Sequence, residues 1–339
     1  MQAAKYLFPR TIGIVFNLKK KGAADDSCEE YDEFETIEAL AGEIKKLGFS
    51  PLLIEQGHNL SQHLLKVRPD FVLNIAEGIG TGRSRESQVP SILESLGIPY
   101  SGSDPISLGV ALDKYLTSFI LKAAGVAVPL AYTINNIAAA VSLKSLFAKK
   151  KLYIVKPRWE GSSKGIFLHS VVSSFEAFRK QAQHIFSAYK QPVLVEEFLE
   201  GSEITVAVCG NRKPRLLGMM RIMPRQETKC FLYSQENKRE WKTRIIYEPQ
   251  SSIVSGLKRA VAETAMRAFT VLELRDIARI DFRLNSKGVA HIIDINPLPG
   301  LSPLYSDLPI MCKLQGRSYS SLIRVILQEA FRRYGFVLR

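Results

Sequence analysis

The chain has 339 residues, with 46 Lys plus Arg against 33 Asp plus Glu, which gives a net charge of +13. This charge favours anionic partners. The basic residues are scattered, however, and no aromatic-interleaved RNA-binding pattern is present, so we expect neither nucleic acid nor a membrane as a partner. No apolar run is long enough to predict a membrane span, and no export signal is recognisable.

The four cysteines stand far apart, without CxxC spacing or nearby histidines. This spacing predicts neither a zinc site nor a disulfide framework. We therefore expect reduced thiols in a cytoplasmic protein that folds as two or three compact units. The cysteines are Cys28, Cys209, Cys230 and Cys312.

Strand and helix patterns alternate over the first hundred residues. The run "TIGIVFN" predicts a strand, and "DEFETIEALAGEIKKLG" predicts a helix that ends at Gly48. The runs "SPLLIE" and "DFVLNIAEG" predict strands on either side of a helical pattern, and "SQVPSILESLGIPYSGSD" predicts one more helix and strand. This alternation is typical of a doubly wound α/β sheet. The inner face of the first helix is expected to contain Ile37, Leu40, Ala41, Ile44 and Leu47.

Hairpin patterns replace this alternation later in the chain. One helix over "LGVALDKYLTSFILKAAG" is expected to end at Gly125. The runs "KLYIVKP" and "GIFLHS" then predict strands around the loop "RWEGSSK", followed by the helix "SFEAFRKQAQHIFSAYK" and the strand "PVLVEEFLEG". Together they indicate an α+β layer.

The last part of the chain also predicts an α+β unit. The runs "SEITVAVCGN" and "PRLLGMMRIMP" predict two strands, and the polar span 225–244 predicts a long mobile loop. The helix "VSGLKRAVAETAMRAFTVL", the hairpin "IARIDFRLNSKGVAHIIDIN" and the helix "YSSLIRVILQEAFRRYG" complete the chain. We expect three units, at 1–105, 106–192 and 193–339.

The last hairpin contains a candidate metal site. Arg279 and Asp281 share one face of a strand, as do Asp294 and Asn296, because side chains alternate along a strand. The loop "NSKG" makes the strands antiparallel neighbours, so Asp281 should lie opposite Asp294 within one register step. Two carboxylates and an amide oxygen favour Mg²⁺. The alternative is a solvated hairpin end without a ligand.

Two earlier segments could bind a nucleotide. Lys156 ends a strand before "EGSSKG", whose backbone N–H groups, hydroxyls and Lys164 could cradle phosphates. Downstream, Glu196 and Glu197 could accept from an adenine amino group, the backbone of Phe198 and Leu199 could bond a ring edge, and Glu203 could hold ribose hydroxyls. The alternatives are an ordinary flexible turn and a solvated strand end.

The motifs "LDKYLT", "YIVKPRWEGSSKG", "VLVEEFLEGSE", "ARIDFRL" and "DINPLPG", in this order, resemble those of ATP-grasp enzymes of the D-alanine–D-alanine ligase family. The resemblance covers about residues 70–309. It implies an α/β plus α+β architecture, in which a doubly wound α/β domain precedes the two parts of an ATP-grasp fold. It also implies ATP as a substrate and two Mg²⁺ ions, with Mn²⁺ as an alternative. In the implied reaction a carboxylate attacks the γ-phosphate, and an amine then displaces phosphate from the acyl phosphate.

The resemblance also implies residue roles. Lys114, Lys156, Ser163, Lys164, Gly165, Glu196, Glu197, Phe198, Leu199 and Glu203 would bind the nucleotide. Asp281, Asp294 and Asn296 would hold the metal, while Arg279, Gly300, Ser162 and Lys238 would be catalytic. Arg279 and the Gly300 N–H would steady the oxyanion of the tetrahedral intermediate, and Ser306 would bind the acceptor's carboxylate, despite a one-residue insertion.

The sequence departs from the family pattern where amino acids would bind. "EEYDEFET" replaces the usual Glu-Val-Ser motif, which leaves Asp32 or Glu33 to pair with an ammonium group. Glu77 stands where the family usually has histidine, and Arg239 stands where a tyrosine often follows the lysine corresponding to Lys238. Different amino-acid substrates, or a differently built lid, would follow from these changes.

Three hypotheses follow. The first is a ligase that joins two amino acids, D-alanine with D-alanine by default, and the second is a dipeptide or amide ligase of specialised metabolism. The third is a nucleotide-binding protein without catalysis, which the retained oxyanion-binding residues disfavour. The resemblance also implies a homodimer, since family members commonly form one.

Overall fold

The computed structural model describes residues 8–19, 26, 28–149, 151–226, 228 and 231–338. Cys230, one of the four cysteines discussed above, lies outside the described residues. Among the residues that the structure describes, no helix is both long and apolar enough to cross a membrane.

The first unit is built on a parallel three-stranded sheet in the order β2-β1-β3. The register pairs Thr11 with Ser50 and Ile12 with Phe71. This confirms the predicted α/β alternation. The elements are β1 (Thr11–Phe16), α1 (Phe34–Lys46), β2 (Ser50–Glu55), α2 (Leu60–Val67), β3 (Phe71–Asn74) and α3 (Gln88–Ser95), preceded by a 3₁₀ turn at Arg85–Ser87.

The strand predicted at "GIPYSGSD" is wrong, since only an isolated bridge between Val72 and Tyr100 forms there. Gly102 turns the chain with φ of +91°, and its N–H donates to Asp276 of the C-terminal unit at 2.8 Å. The segment therefore joins two units instead of extending the sheet.

The single helix predicted over "LGVALDKYLTSFILKAAG" is also wrong. It is divided into α4 (Pro105–Leu112) and α5 (Lys114–Ala123) at Asp113. The Asp113 carboxylate caps α5 by accepting from Leu116 N at 3.1 Å and also accepts two bonds from Arg158. An aspartate that caps a helix favours non-helical backbone at its own position. The break makes Lys114 the first residue of α5.

The central unit has a four-stranded sheet in the order β4-β7-β5-β6, with α6 packed against it. Most of "GIFLHS" does not form the predicted strand, because Leu168–Ser170 is a 3₁₀ turn and only Val171–Val172 pairs with β5. The Ser170 hydroxyl fixes this turn by accepting from Phe167 N at 3.0 Å. The elements are β4 (Ala131–Ile134), a 3₁₀ stretch at Ile137–Lys149, β5 (Tyr153–Pro157), β6 (Val171–Val172), α6 (Phe175–Tyr189) and β7 (Val193–Glu197).

The C-terminal unit has a five-stranded antiparallel sheet in the order β10-β9-β8-β11-β12. The helix α9 packs on one face, and α10 and α11 pack on the other. The elements are β8 (Glu203–Gly210), β9 (Arg215–Pro224), β10 (Ile245–Pro249), α9 (Ser255–Val271), β11 (Asp276–Leu284), β12 (Ala290–Asn296), α10 (Asp307–Leu314) and α11 (Tyr319–Tyr334).

The long mobile loop predicted over 225–244 is wrong for much of its length. The structure contains α7 (Gln235–Arg239) and α8 (Trp241–Arg244) there. Ser234 caps α7 by accepting from Asn237 N at 3.4 Å, and Trp241 lies against the ring of Tyr247, with centroids 5.8 Å apart. Helices of five and four residues are too short to give a periodic pattern in the sequence.

The first and last units share a hydrophobic core. Ile12, Ile14 and Phe71 pack with Ile326 and Phe331 of α11. The rings of Phe71 and Phe331 meet edge to face, with centroids 4.8 Å apart. The three sheets follow one another along the chain in the predicted order, and the division at 105 and 192 stays a prediction.

Candidate active site

The β11–β12 hairpin brings the predicted metal ligands together. Asp281 lies directly opposite Asp294, and Arg279 lies opposite Asn296. The amide nitrogen of Asn296 lies 3.1 Å from a carboxylate oxygen of Asp281. The sequence predicted this pairing to within one residue, and in the structure the two aspartates are directly paired.

Arg279 lies beside these carboxylates. Its Nε lies 3.0 Å from Asp281 Oδ1 and its NH2 lies 2.9 Å from Oδ2, while a third contact reaches Asp307 at 3.7 Å. Burial opposes the charge, but the two carboxylates outweigh it and raise the pKa of Arg279 above its usual value. Arg279 is therefore a permanent buried cation beside the cavity.

Two lysines surround Asp294. Lys114 Nζ contacts Asp294 Oδ1 at 2.7 Å, and Lys156 pairs with Glu196 at 2.6 Å. Burial alone would raise the pKa of Asp294, but the charges of Lys114 and Lys156 hold it below its usual value. Asp294 is thus ionised over the whole physiological range.

The donor set fits a hard divalent cation. Asp281, Asp294 and Asn296 supply oxygens from adjacent strands, and Mg²⁺ takes such ligands together with waters and substrate phosphates. Within the described ranges no group of three His, Cys, Asp or Glu side chains is placed to hold a metal, because the third member of this set is an asparagine. The remaining coordination positions would come from solvent and nucleotide.

A small cleft of about 90 Å³ lies between the central and C-terminal sheets. The Phe198 N–H already donates to Leu152 O at 2.9 Å, and the Leu199 carbonyl accepts from Arg283. Glu203, the predicted ribose ligand, pairs with Arg283. Predicted residues that line this cleft are Lys114, Lys156, Ser162, Ser163, Glu196, Glu197, Phe198, Leu199, Glu203, Asp281 and Asp294.

The predicted phosphate loop has a specialised backbone. Ser162 and Ser163 have φ of +48° and +60°, which is uncommon outside glycine. At Gly165 a Cβ would lie 2.4 Å from the ring of Pro157, so only glycine fits. The N–H groups of Gly161 and Gly165 donate to Glu30 and Asp26, at 2.5 and 3.1 Å. These N–H groups therefore point at carboxylates of the first unit.

Arg85 joins that loop to the first unit, and the sequence analysis did not identify it. Its NH2 contacts both oxygens of Glu30 at 2.7 and 2.8 Å and Glu160 at 3.3 Å, and its NH1 donates to the Trp159 carbonyl at 2.6 Å. Lys164 also contacts Glu160, at 2.8 Å. Arg85 lies in "GRSRES", where no local pattern distinguishes it from a surface arginine.

Gly300 and Ser306 lie next to each other beyond the hairpin. A Cβ on Gly300 would lie 2.7 Å from Ser306 Oγ, so a larger residue cannot fit without displacing the serine. The Ser306 hydroxyl accepts from Ser302 N at 3.0 Å, and Ser306 directly precedes α10. Both residues line the same cavity as Arg279.

The segment around α7 closes this cavity from another side. Lys238 lies over the ring of Tyr233, 4.8 Å from its centroid, and burial together with the charge of Arg279 lowers its pKa. The Tyr233 hydroxyl bonds Asp307 at 3.0 Å. Arg239, in the position where a tyrosine was expected, donates to Glu29 at 3.1 Å. Tyr233 and Asp307 were missed because their contacts join distant segments.

A cavity of about 420 Å³ lies between the hairpin and the carboxyl edge of the first sheet. Asp32, Glu33 and Glu77 line it, as predicted for residues near an amino-acid substrate. Burial and the charge of Glu33 raise the pKa of Asp32 to about 7. Burial and the charges of Glu86 and Glu30 raise the pKa of Glu77 well above its usual value.

A cleft between an antiparallel five-stranded sheet and a smaller α+β unit, lined by lysines and acidic strand ends, defines the ATP-grasp class. The family model described as "D-ala D-ala ligase C-terminus" matches residues 121–328. The protein y4sG of Sinorhizobium fredii is 30% identical over 311 residues, which cover 88% of each chain. A D-alanine–D-alanine ligase of Aquifex aeolicus is 30% identical over 301 residues, covering 89% of this chain and 96% of that protein.

The fold also matches a crystal structure of a Bacillus anthracis D-alanine–D-alanine ligase complexed with ATP. The TM-score is 0.72 at 22% identity, covering 96% of this chain and 98% of that chain. The chain belongs to the D-alanine–D-alanine ligase family, a family of ATP-dependent ligases.

Proposed function

We propose that this ligase joins two amino acids through an acyl phosphate, with ATP and Mg²⁺, and that D-alanine is the default substrate. The observation that carries the proposal is the compact set formed by Arg279, Asp281, Asp294 and Asn296 with the adjoining Lys114. It places hard oxygen donors, lysines and an oxyanion-binding arginine around one cleft.

The residue roles follow from charge and position. Lys114 and Lys156 neutralise phosphate oxygens, the hydroxyls of Ser162 and Ser163 in the loop at 161–165 cover them, and Asp281, Asp294 and Asn296 would hold Mg²⁺. The metal, when bound, supplies charge neutralisation for phosphoryl transfer. A donor carboxylate oxygen then attacks the γ-phosphorus, and ADP leaves as the acyl phosphate forms.

The second step takes place beside Arg279. The acceptor amine attacks the acyl carbon, the N–H of Gly300 and the guanidinium of Arg279 stabilise the oxyanion, and phosphate leaves as the amide forms and the amine loses a proton. Ser306 holds the acceptor's carboxylate. Lys238, on the segment that closes the cavity, faces the same region.

A panel of amino acids tests the proposal. We expect ADP release, stimulated by one or two amino acids, with a product mass equal to their sum less one water. ADP release without any amide product, or with no dependence on amino acids, would contradict it. Testing D- and L-isomers separately determines the stereochemistry.

A different pair of amino acids is the second candidate, and specific observations favour it. Glu77 and Arg239 occupy positions where the family usually has histidine and tyrosine, and Arg239 bonds Glu29 of the first unit. The cavity that receives the amino acids therefore contains a carboxylate and a guanidinium where the family pattern has a histidine and a tyrosine.

The remaining partners follow from this function. We expect a cytoplasmic enzyme, active as a homodimer, that binds neither nucleic acid nor membranes. Salt-sensitive retention on a polyanion that ATP fails to relieve would contradict the expectation for nucleic acid.

A further inference from the structure

Three carboxylates line the cavity at the carboxyl edge of the first sheet. β1 ends at Phe16, and the next residue, Asn17, organises the surrounding chain. The Asn17 side-chain oxygen accepts from Glu77 N at 2.9 Å, and its backbone carbonyl accepts from Asp32 N at 3.1 Å. Asp32, Glu77 and Glu86 all line the 420 Å³ cavity. This edge of a parallel sheet is where α/β folds bind ligands.

These three carboxylates differ from their acidic neighbours because they form no direct ion pair, although the charge of Arg85 acts on Glu77 and Glu86 from nearby. Glu30 pairs with Arg85, and Glu29 pairs with Lys19 at 3.3 Å. Over the part of the chain that the structure describes, Asp32, Glu77 and Glu86 form no ion pair. A carboxylate in a cavity without a direct ion-pair partner is costly unless it is protonated or a ligand cation joins it, and Glu86 is only 7% exposed.

Unsatisfied amides give independent evidence that this cavity is built for a polar ligand. Asn74, at the end of β3, and Gln235, at the start of α7, are only 4% and 3% exposed. Both line the cavity, and the side-chain nitrogen of each has no hydrogen-bond partner among the described residues. Buried polar atoms in folded proteins are nearly always bonded, so these two await a ligand or water.

The cavity contains both signs of charge. Arg279, Lys238 and the Gly300 backbone come from the C-terminal unit, Asp32, Glu77 and Glu86 come from the first unit, and all of them line the cavity. A donor amino acid whose carboxyl group faces the C-terminal unit would direct its ammonium group toward the first unit. One carboxylate suffices for one α-ammonium, and this edge offers three. Burial raises the pKa of Asp32 to about 7 and that of Glu86 to about 8, the latter against the opposing charges of Arg85 and Lys114.

We propose that the donor substrate is a diamino acid, whose side-chain ammonium binds the Asp32, Glu77 and Glu86 edge while its carboxyl group faces Arg279. The inference rests on the proposed ligase function and specifies its substrate class. Lysine and ornithine are the simplest members of this class.

Lysine and norleucine form a matched pair that isolates the second charge, because they differ only in an ammonium in place of a methyl group. We expect calorimetric binding of lysine, as the D- or L-isomer that supports turnover, to be at least about tenfold tighter than that of norleucine. Lysine binding should also release protons, detected as a buffer-dependent heat, since it draws the carboxylates into their charged form. Equal or weaker binding of lysine would overturn the proposal without any need for a variant.

Turnover separates this proposal from the function on which it rests. If no amino acid stimulates ADP release, both proposals fail. If D-alanine supports amide formation and lysine and ornithine do not, the ligase function stands and the diamino-acid inference is wrong. A higher kcat/KM for a diamino acid than for alanine and norleucine supports both.

Two variants test which carboxylates bind the side-chain ammonium group. In Glu77→Gln and, separately, Glu86→Gln, we expect the lysine-to-norleucine affinity ratio to fall at least about tenfold, because a buried charge pair loses one partner. Glu38→Gln, on the exposed face of α1, is the matched control and should leave the ratio unchanged. Thermal melting identifies any variant that fails to fold, and an unchanged ratio in both folded variants would overturn the assignment.

Discussion

The carboxylates of the β11–β12 hairpin and those at the edge of the first sheet line the same interdomain space but are compensated differently. Asp281 and Asp294 contact Arg279 and Lys114 at 2.9 and 2.7 Å. Glu77 and its neighbours at the first sheet have no such cation among the described residues. A compensated carboxylate stays ionised in any ligand state, whereas an uncompensated one requires a proton or a ligand cation. In our proposals the hairpin performs the reaction and the acidic edge selects the substrate.

The largest effect is expected from a change in the hairpin carboxylates, which are paired with cations. Asp294→Asn keeps the side-chain volume but removes the charge that faces Lys114 and the proposed metal. We expect kcat for amide formation to fall by about 10²- to 10³-fold. Steady-state ADP release at saturating Mg²⁺ measures it, and Glu263→Gln on the exposed face of α9 serves as the control. Unchanged turnover would remove Asp294 from the metal site.

The next effect concerns Arg85, which joins the phosphate loop to the first unit. Arg85→Met leaves Glu30 buried without its ion-pair partner, while Glu160 keeps Lys164, so we expect a loss of about 3 kcal/mol in the free energy of unfolding. A raised KM for ATP should accompany it, since the phosphate loop loses its tie to the first unit. Urea unfolding and steady-state kinetics measure the two effects.

A nearby arginine provides a matched control for this variant. Arg83 is 52% exposed and pairs with Asp113 at 3.1 Å. Arg83→Met should cost no more than about 1 kcal/mol. Equal losses from both variants would show that Arg85 does not join the units.

The acidic edge should also make stability depend on pH. The pKa of Glu86 is about 8, against an ordinary value of 4.5, because of burial and the charges of Glu30 and Asp294. Arg85 and Lys114 oppose this rise without reversing it. A raised folded-state pKa favours folding below the ordinary value, and this contribution is lost as the pH rises to about 8.

Glu86→Gln removes this titration. We expect the wild type to lose, relative to the variant, about 2 kcal/mol in the free energy of unfolding between about pH 5 and about pH 8. Urea unfolding across that range measures it. Parallel pH profiles for the two proteins would contradict the raised pKa.

The smallest effect is expected from a change at Gly300, just beyond the end of the hairpin. Gly300→Ala places a methyl group 2.7 Å from Ser306 Oγ. We expect kcat/KM to fall about tenfold as the serine and the nearby N–H shift. Gly42→Ala is the control, since a Cβ there meets nothing within 4 Å and alanine favours the helix. Equal activity in the two variants would show that activity does not depend on the close packing of Gly300 against Ser306.

Local sequence was enough to predict the hairpin because its geometry is local. Strand alternation placed Arg279 with Asp281 and Asp294 with Asn296, and the four-residue loop limited the register to one step. The break at Asp113 was missed, since the apolar pattern continues across it and Arg158, whose bonds hold the Asp113 carboxylate, lies 45 residues away in the chain. Propensity reports the average preference of a segment, and one tertiary ion pair can override it.

The sequence by itself determined most of the order of strands and helices, the hairpin that carries the proposed metal ligands and the family resemblance, because these depend on residue spacing along short segments. Only the tertiary structure decided that Arg85 joins the phosphate loop to the first unit, that Arg239 bonds Glu29, and that Asp32, Glu77 and Glu86 line one cavity without a direct ion pair among the described residues. Those relations depend on which distant side chains lie within a few ångströms of one another. That proximity sets their charge state, and no spacing in the sequence encodes it directly.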